Sequence, residues 1–383
     1  MPDRQQFRTL IPRLSMAKPA FFVNTPLDRA VYQRGPDGRT RILVTGTVKG
    51  ISMREDYRLA CETTDPDGIP GPGGSLRFSG KRGWFAGSVT LPAGGWYQFR
   101  LTLRDASGGL VCSAVVDHVG VGEVFITAGQ SNAANSGTTR LAPKSDLVSA
   151  RGLHGWQVAR DPQPVATNDA GSPWPAMADM LVDVLHVPVG LISVGVGGTA
   201  VATWIPDKEA ERHDLPWSAR LLSALIGALR LDWNRWPWLA RLRPKTANFS
   251  RLAWALKIAG VRGARAVLWH QGESDSIART PAGIYAKRLR AVIGGSRAAA
   301  GWNIPWLIAR ASFHVAAHAG DMHAVAKGQE RVVNSVDVFQ GPATDDLIGE
   351  QWRAPDRVHF NGAGLAEHGR RWARAVLETL FKE

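Results

Sequence analysis

Between residues 20 and 118 the apolar positions recur every second residue. Tyr97, Phe99, Leu101 and Leu103 alternate with Gln98, Arg100, Thr102 and Arg104, the period of a strand buried on one face. Residues 105–109 (Asp-Ala-Ser-Gly-Gly) turn the chain, and 110–116 run back. Upstream, residues 42–48, 57–64 and 84–91 read as further strands. Asp65-Pro66-Asp67-Gly68 and Pro70-Gly71-Pro72-Gly73-Gly74 punctuate them. Short strands at this spacing predict a small β-sandwich over 20–118, behind an N-terminal extension of residues 1–19.

After residue 120 the pattern changes. Apolar runs of strand length at 123–128, 187–194, 264–269, 304–309 and 336–339 alternate with helical segments near 174–185, 250–260, 281–296, 319–334 and 363–381. The last segment carries Trp372, Val376, Leu377 and Leu380 on one stripe, with Arg370, Arg371 and Arg374 away from it. Such alternation predicts an α/β domain over 119–383, a parallel sheet covered on both faces. In such folds active groups gather beyond the carboxyl ends of the strands. One stretch, 208–248, interrupts the alternation. Leu221, Leu225, Ala228 and Leu229 predict a helix there, and Pro237 ends or kinks the residues after it.

Composition narrows the classes. Lys and Arg number 46 against 33 Asp and Glu, a net +13. The positives are scattered, with no basic run interleaved with aromatics, so no nucleic-acid partner is expected. The charge tilts slightly towards acidic glycans. No stretch approaches the ~18 apolar residues of a membrane span. The first residues lack the apolar core of a signal peptide, which favours a cytoplasmic location over export. Two cysteines, Cys61 and Cys112, exclude a disulfide scaffold; they read either as free thiols or as one pair across the sandwich. Of 15 Trp, 13 come after residue 150. Such rings serve equally as core or as platforms for sugars.

Four loops carry candidate chemistry. The first, Gly129-Gln130-Ser131-Asn132, comes after the first buried strand, where a serine presents its hydroxyl to a cleft and its N–H to an oxyanion. Alone it reads more readily as a capping serine. The second, Gly195-Val196-Gly197-Gly198-Thr199, lacks the Lys and Ser/Thr of a phosphate loop and reads as a tight turn or a backbone donor. The third, His270-Gln271-Gly272-Glu273-Ser274-Asp275, has no common metal-ligand spacing, so no metal is expected. The fourth, Asp356-Arg357-Val358-His359-Phe360, sets a carboxylate three residues before a histidine, a spacing that suits a base and its orienting acid but alone reads more readily as a surface turn.

Taken in order, these four blocks resemble the SGNH hydrolase superfamily. They are most similar to its sialate O-acetylesterase-like and acetylxylan esterase-like branch, carbohydrate esterase family 6. The resemblance covers about residues 120–383. It implies a three-layer α/β/α, flavodoxin-like catalytic domain, and the strand-rich region before it resembles a β-domain of some relatives. It implies a carbohydrate O-acetylesterase working without metal or organic cofactor on an acetylated carbohydrate. Ser131 is then the nucleophile, His359 the base and Asp356 its partner. Ser131, Gly197, Gly198 and Gln271 supply the oxyanion hole. Gln130, Asn132, His270 and Glu273 support them, and Trp204, beside the glycine block, faces substrate. Asp356 and Glu273 both qualify as the acid that orients His359; the local turn favours Asp356.

Two other readings stand beside this one: an esterase of the same superfamily acting on lipids or other non-carbohydrate esters, and a non-catalytic glycan-binding protein. The complete Ser/His/Asp set argues against the second. Segment 208–248 departs from the family pattern. It holds eight Lys/Arg against four Asp/Glu. It reads as a packed helix, as a cap bringing Trp233, Trp236 or Trp238 to the cleft, or, less readily, as an interfacial membrane helix. Nothing in the sequence sets an oligomeric state.

Overall fold

The structure, a computed structural model, describes residues 18–52, 56–80, 82–206 and 247–382. Most of the N-terminal extension and of segment 208–248, with Trp233, Trp236 and Trp238, lies outside the described residues. The chain divides into two compact units. The first comprises the described parts of Met1–Leu27, Arg41–Leu91 and Gln98–Asp117; the second comprises those of Asp28–Thr40, Pro92–Tyr97 and His118–Glu383.

In the first unit, β1 (Ala20–Thr25), β3 (Arg39–Lys49), β6 (Trp84–Pro92) and β5 (Ser75–Ser79) form a four-stranded sheet in the order β1-β3-β6-β5. β4 (Tyr57–Thr64) pairs antiparallel with β7 (Gly94–Asp105) along its whole length. β7 in turn pairs with β8 (Leu110–Gly129). The period-two pattern has its cause here: Phe99, Leu101 and Leu103 are buried, as are Ile42, Val44 and Val48 of β3 and Phe85, Val89 and Leu91 of β6. Cys61 and Cys112 are free thiols, and burial pushes the Cys61 thiol up to about 11.

The hydrophobic pattern suggests a break between 110–116 and 123–128. β8 is instead one strand of 20 residues. The intervening glycines read as punctuation but serve close approach: a Cβ on Gly122 would lie 2.0 Å from the Pro188 carbonyl oxygen.

The second unit holds a mainly parallel sheet in the order β10-β9-β11-β8-β12-β13-β14. Its strands beside β8 are β9 (Val148–Arg151), β10 (Trp156–Val158), β11 (Val189–Ser193), β12 (Ala266–His270), β13 (Trp306–Arg310) and β14 (Val338–Ala343). β10 alone runs antiparallel on this path. The short β2 (Val31–Gln33) adds to β8 in parallel. Among the described residues the α-helices are α1 (Trp174–Leu185), α2 (Ala247–Ala259), α3 (Glu273–Ile277), α4 (Ala282–Ala300), α5 (Ala319–Glu330) and α6 (Gly362–Leu380).

Strand alternation distributes β8 between two cores. Val124, Ile126 and Ala128 pack with Trp204, Trp269, Leu252 of α2, Leu289 of α4 and Val325 of α5. Phe125 packs on the other face with Trp174 and Leu181 of α1 and Trp372 and Val376 of α6. Helices therefore cover both faces. At the amino end of this part of β8, the fully buried Glu123 carboxylate accepts from Arg34 Nε (2.6 Å), Arg265 Nε (2.7 Å) and Gln33 Nε2 (2.8 Å). Apart from the β9–β10 pair, the strands run in chain order 2-1-3-4-5, so the order reverses beside β8. In open α/β sheets the crevice at that reversal, beyond the carboxyl ends, is where ligands bind. Among the described residues, no helix is long and apolar enough to cross a membrane.

Candidate active site

β8 delivers the first block to the sheet's carboxyl edge. Ser131 opens a short 3-10 turn, Ser131–Ala133, and is 7% exposed. The Gln130 N–H donates to the His270 carbonyl (2.9 Å), which fixes this block against the end of β12. Asn132 ties three blocks together. Its Nδ2 donates to Glu273 Oε1 (2.9 Å) and lies 3.4 Å from the Val358 carbonyl oxygen.

The fourth block is built by its own turn. Asp356 Oδ1 accepts from the Val358 N–H (2.9 Å) and the His359 N–H (3.0 Å), and Oδ2 meets His359 Nδ1 at 2.6 Å. Burial acts to raise the Asp356 pKa, but these bonds and the His359 ring outweigh it and hold the carboxyl below its ordinary range. Bound through Nδ1, the ring has Nε2 left for chemistry. Both side chains keep access to solvent, His359 at 29% and Asp356 at 48%.

Glu273 sits elsewhere. It is buried, accepts from Asn132 and lies 3.5 Å from His270 Nε2. Desolvation opposes its charge, yet the His270 ring and the Asn132 amide hold its pKa below the usual value. His270 Nδ1 lies 3.1 Å from His368 Nε2, which also accepts from Trp372 Nε1 (3.0 Å). These contacts place Asp356 on His359 and Glu273 on His270.

Three expectations give way. The Gln271 side-chain amide was expected to donate to an oxyanion. It is fully buried and meets Asp275 Oδ2 (2.8 Å), Gln130 Oε1 (3.1 Å) and the Thr199 carbonyl (3.1 Å). Two N–H groups facing three internal acceptors make it a brace between blocks. The Gly197 N–H, also expected there, donates to Thr167 Oγ1 at 2.8 Å. Gly198 differs: its φ is +67° and a Cβ built on it would meet open space, so a ligand can approach its backbone. Trp204 was expected at substrate. It is fully buried, donates to Thr199 Oγ1 (3.1 Å) and stands edge-on to Trp269 at 5.3 Å.

Sequence reasoning missed two residues. Arg353 is 5% exposed and braces the fourth block from behind. It donates to the carbonyls of Leu347 (2.5 Å), Val358 (2.5 Å) and Thr344 (3.3 Å), and lies 3.9 Å over the Phe360 ring. Burial lowers its pKa to about 10, against the pull of Glu273, Asp345 and Asp356. The second is His314, beyond β13. Burial lowers its pKa, and it feels the charges of Glu273, His359 and Asp356. Neither belongs to a local motif; a lone Arg or His in a loop gives no signal. Among the described residues, no group of three or more His, Cys, Asp or Glu is arranged to hold a metal ion.

A family model described as carbohydrate esterase, sialic acid-specific acetylesterase, matches residues 121–378. No curated protein sequence matches. Among solved structures, a carbohydrate acetylesterase from Xanthomonas citri is similar, with TM-score 0.56 and 18% identity over 93% of this chain and 74% of that one. A protein from Arabidopsis thaliana gives TM-score 0.47 and 18% identity over 67% of this chain and 98% of its own. A family two carbohydrate esterase from Cellvibrio japonicus gives TM-score 0.35 and 8% identity over 95% and 98%.

Proposed function

The chain belongs to the carbohydrate esterase, sialic acid-specific acetylesterase family and is a carboxylic ester hydrolase; from that premise we propose that it removes acetyl groups from a sugar or polysaccharide, with Ser131 as nucleophile. Ser131 Oγ attacks the ester carbonyl carbon while His359 Nε2 takes its proton. Asp356 holds Nδ1 and stabilises the imidazolium that forms. The N–H groups of Ser131 and Gly198 receive the tetrahedral oxyanion. The intermediate collapses, the carbon–oxygen bond to the sugar breaks, and His359 returns the proton to the leaving alkoxide. Water, activated by the same ring, then releases acetate and frees Ser131. Neither metal nor organic cofactor enters this scheme.

The observation that carries the reading is the Asp356–His359 contact at 2.6 Å in a loop that Asn132 ties to the block holding Ser131. The base and its acid are thereby held by the neighbour of the nucleophile. We also read the catalytic domain as an SGNH-type three-layer domain over 119–383. The strand-rich region over 20–118 is then a small β-sandwich, a reading supported by the buried alternate residues of β3, β6 and β7, although residues 28–40 and 92–97 of that span group with the second unit. The test is acetate release. Purified protein frees acetate from p-nitrophenyl acetate and from an acetylated glycan, and Ser131→Ala lowers kcat on both by at least ~10³-fold. A Ser131→Ala protein with full activity removes the assignment.

A further inference from the structure

The strand order gives the ester a direction. The glycine block ends β11, Ser131 ends β8, the third block ends β12, His314 lies past β13, and His359 lies past β14. An ester held by Ser131, with its carbonyl oxygen towards Gly198, therefore lays its alcohol side towards the edge of β13 and β14. His359 must face that side to return the proton. The same side holds His314, a histidine with no role in the scheme above.

His314 is held firmly. Asp345 fixes the loop before it, accepting from Ser312 N (2.7 Å), Ser312 Oγ (2.6 Å) and Phe313 N (2.9 Å). Gln329 joins this loop to the third block: its Oε1 accepts from Ala311 N (3.1 Å), and its Nε2 donates to the carbonyls of Ala311 (2.8 Å) and Gln271 (2.9 Å). The ring is only partly buried. Its Nδ1 accepts from the Ala316 N–H at 3.1 Å. A neutral imidazole whose Nδ1 accepts carries its proton on Nε2. The loop thus carries an N–H donor past the carboxyl end of β13, the strand next to β14, and the charges of Glu273, His359 and Asp356 act on its ring.

We infer that His314 is a specificity-determining residue, whose Nε2–H donates to an oxygen on the alcohol side of the ester and so favours a hydroxylated leaving group. The inference rests on the proposed acetylesterase reading and adds the group that distinguishes a sugar acetate from a simple ester. An aryl acetate has no hydroxyl to accept the bond, so it serves as the internal control.

The experiment measures kcat/KM for wild type, His314→Ala and His314→Gln on an acetylated methyl glycoside and on p-nitrophenyl acetate, using the full chain. Loss of one neutral hydrogen bond is worth about two- to tenfold. His314→Ala should lose that factor on the sugar acetate and stay within about twofold on the aryl acetate. His314→Gln, which keeps an N–H donor, should recover part of the loss. Equal losses on both substrates would mean that the residue only supports the loop, and no loss on the sugar would mean that it does not touch substrate; either overturns the inference while the esterase reading stands. A wild type active on the aryl acetate and inert on every sugar acetate overturns the functional reading, and this inference with it.

Discussion

Replacing Asp356 by Asn removes one charge and little else. The Asn Oδ1 still accepts from the Val358 and His359 N–H groups, so the turn survives. Its Nδ2, however, now faces His359 Nδ1 where a carboxylate oxygen stood at 2.6 Å. An amide N–H there requires Nδ1 to accept, which moves the ring proton to Nε2 and removes the base. The charge contribution depends on exposure. A carboxylate about 4 Å from an imidazolium centre stabilises it by roughly 1 kcal/mol in water and 4 kcal/mol at a protein surface. Asp356 is 48% exposed and His359 29%, so solvent screens the pair and the value falls between these limits. That is about 5- to 10³-fold in kcat before the tautomer is counted, and the tautomer adds to it. Glu273→Gln is the matched control. Its Oε1 still accepts from Asn132, and the lost charge faced His270 rather than His359. We expect Asp356→Asn to lower kcat by at least ~10²-fold with KM nearly unchanged, and Glu273→Gln to cost mainly thermal stability. Steady-state kinetics on p-nitrophenyl acetate with parallel melting curves decide this. If Glu273→Gln collapses kcat and Asp356→Asn stays within about threefold of wild type, the acid has been assigned to the wrong carboxylate.

Arg353 and His368 give two more tests in the same region. Arg353→Lys replaces a fork serving three carbonyls with a single ammonium; kcat should fall about tenfold and Tm by several degrees, and an unchanged Tm would show that the fork is dispensable. Burial and the neighbouring charges of His270, Arg353 and Arg371 hold His368 neutral, well below its ordinary value of 6.5. The unfolded chain takes up a proton below about pH 6.5 where the native state does not, so this contribution to stability is complete above that pH and is lost as pH falls. Melting temperatures between pH 7 and 5 should fall more steeply in wild type than in His368→Phe, and equal slopes would contradict the assignment.

The parts of the site legible in the sequence are those that short stretches build alone. Asp356 and His359 lie three residues apart, and the turn itself makes the bonds of the Asp356 carboxylate, so spacing carried the information. Ser131 was legible because a buried strand runs straight into it. The runs behind β11, β12 and β13 were legible because strands buried on both faces read as continuous apolar stretches. The residues that escaped depend on distant partners. His314 owes its place to Asp345 and Gln329, and Arg353 owes its to carbonyls up to nine residues away; no local pattern marks either. Trp204 and Gln271 stood in the right blocks but turned inward, since an indole or amide beside a glycine reads the same whether it faces a ligand or a core. β2, β9 and β10 have only three or four residues each, too few for a period to register.

The helix that follows the His359 loop gives the protein a timing. α6 contributes Trp372 to one of the two cores, and its His368 reaches back 98 positions to meet His270. The loop carrying the base ends where this helix begins. During synthesis, a ribosome-bound chain that already holds Ser131 and the glycine block still lacks the base and the brace behind the third block. On the proposed mechanism, such a chain should be catalytically silent until α6 has emerged and docked. Ester cleavage is then a signal that this helix is in place, readable in stalled nascent chains of increasing length.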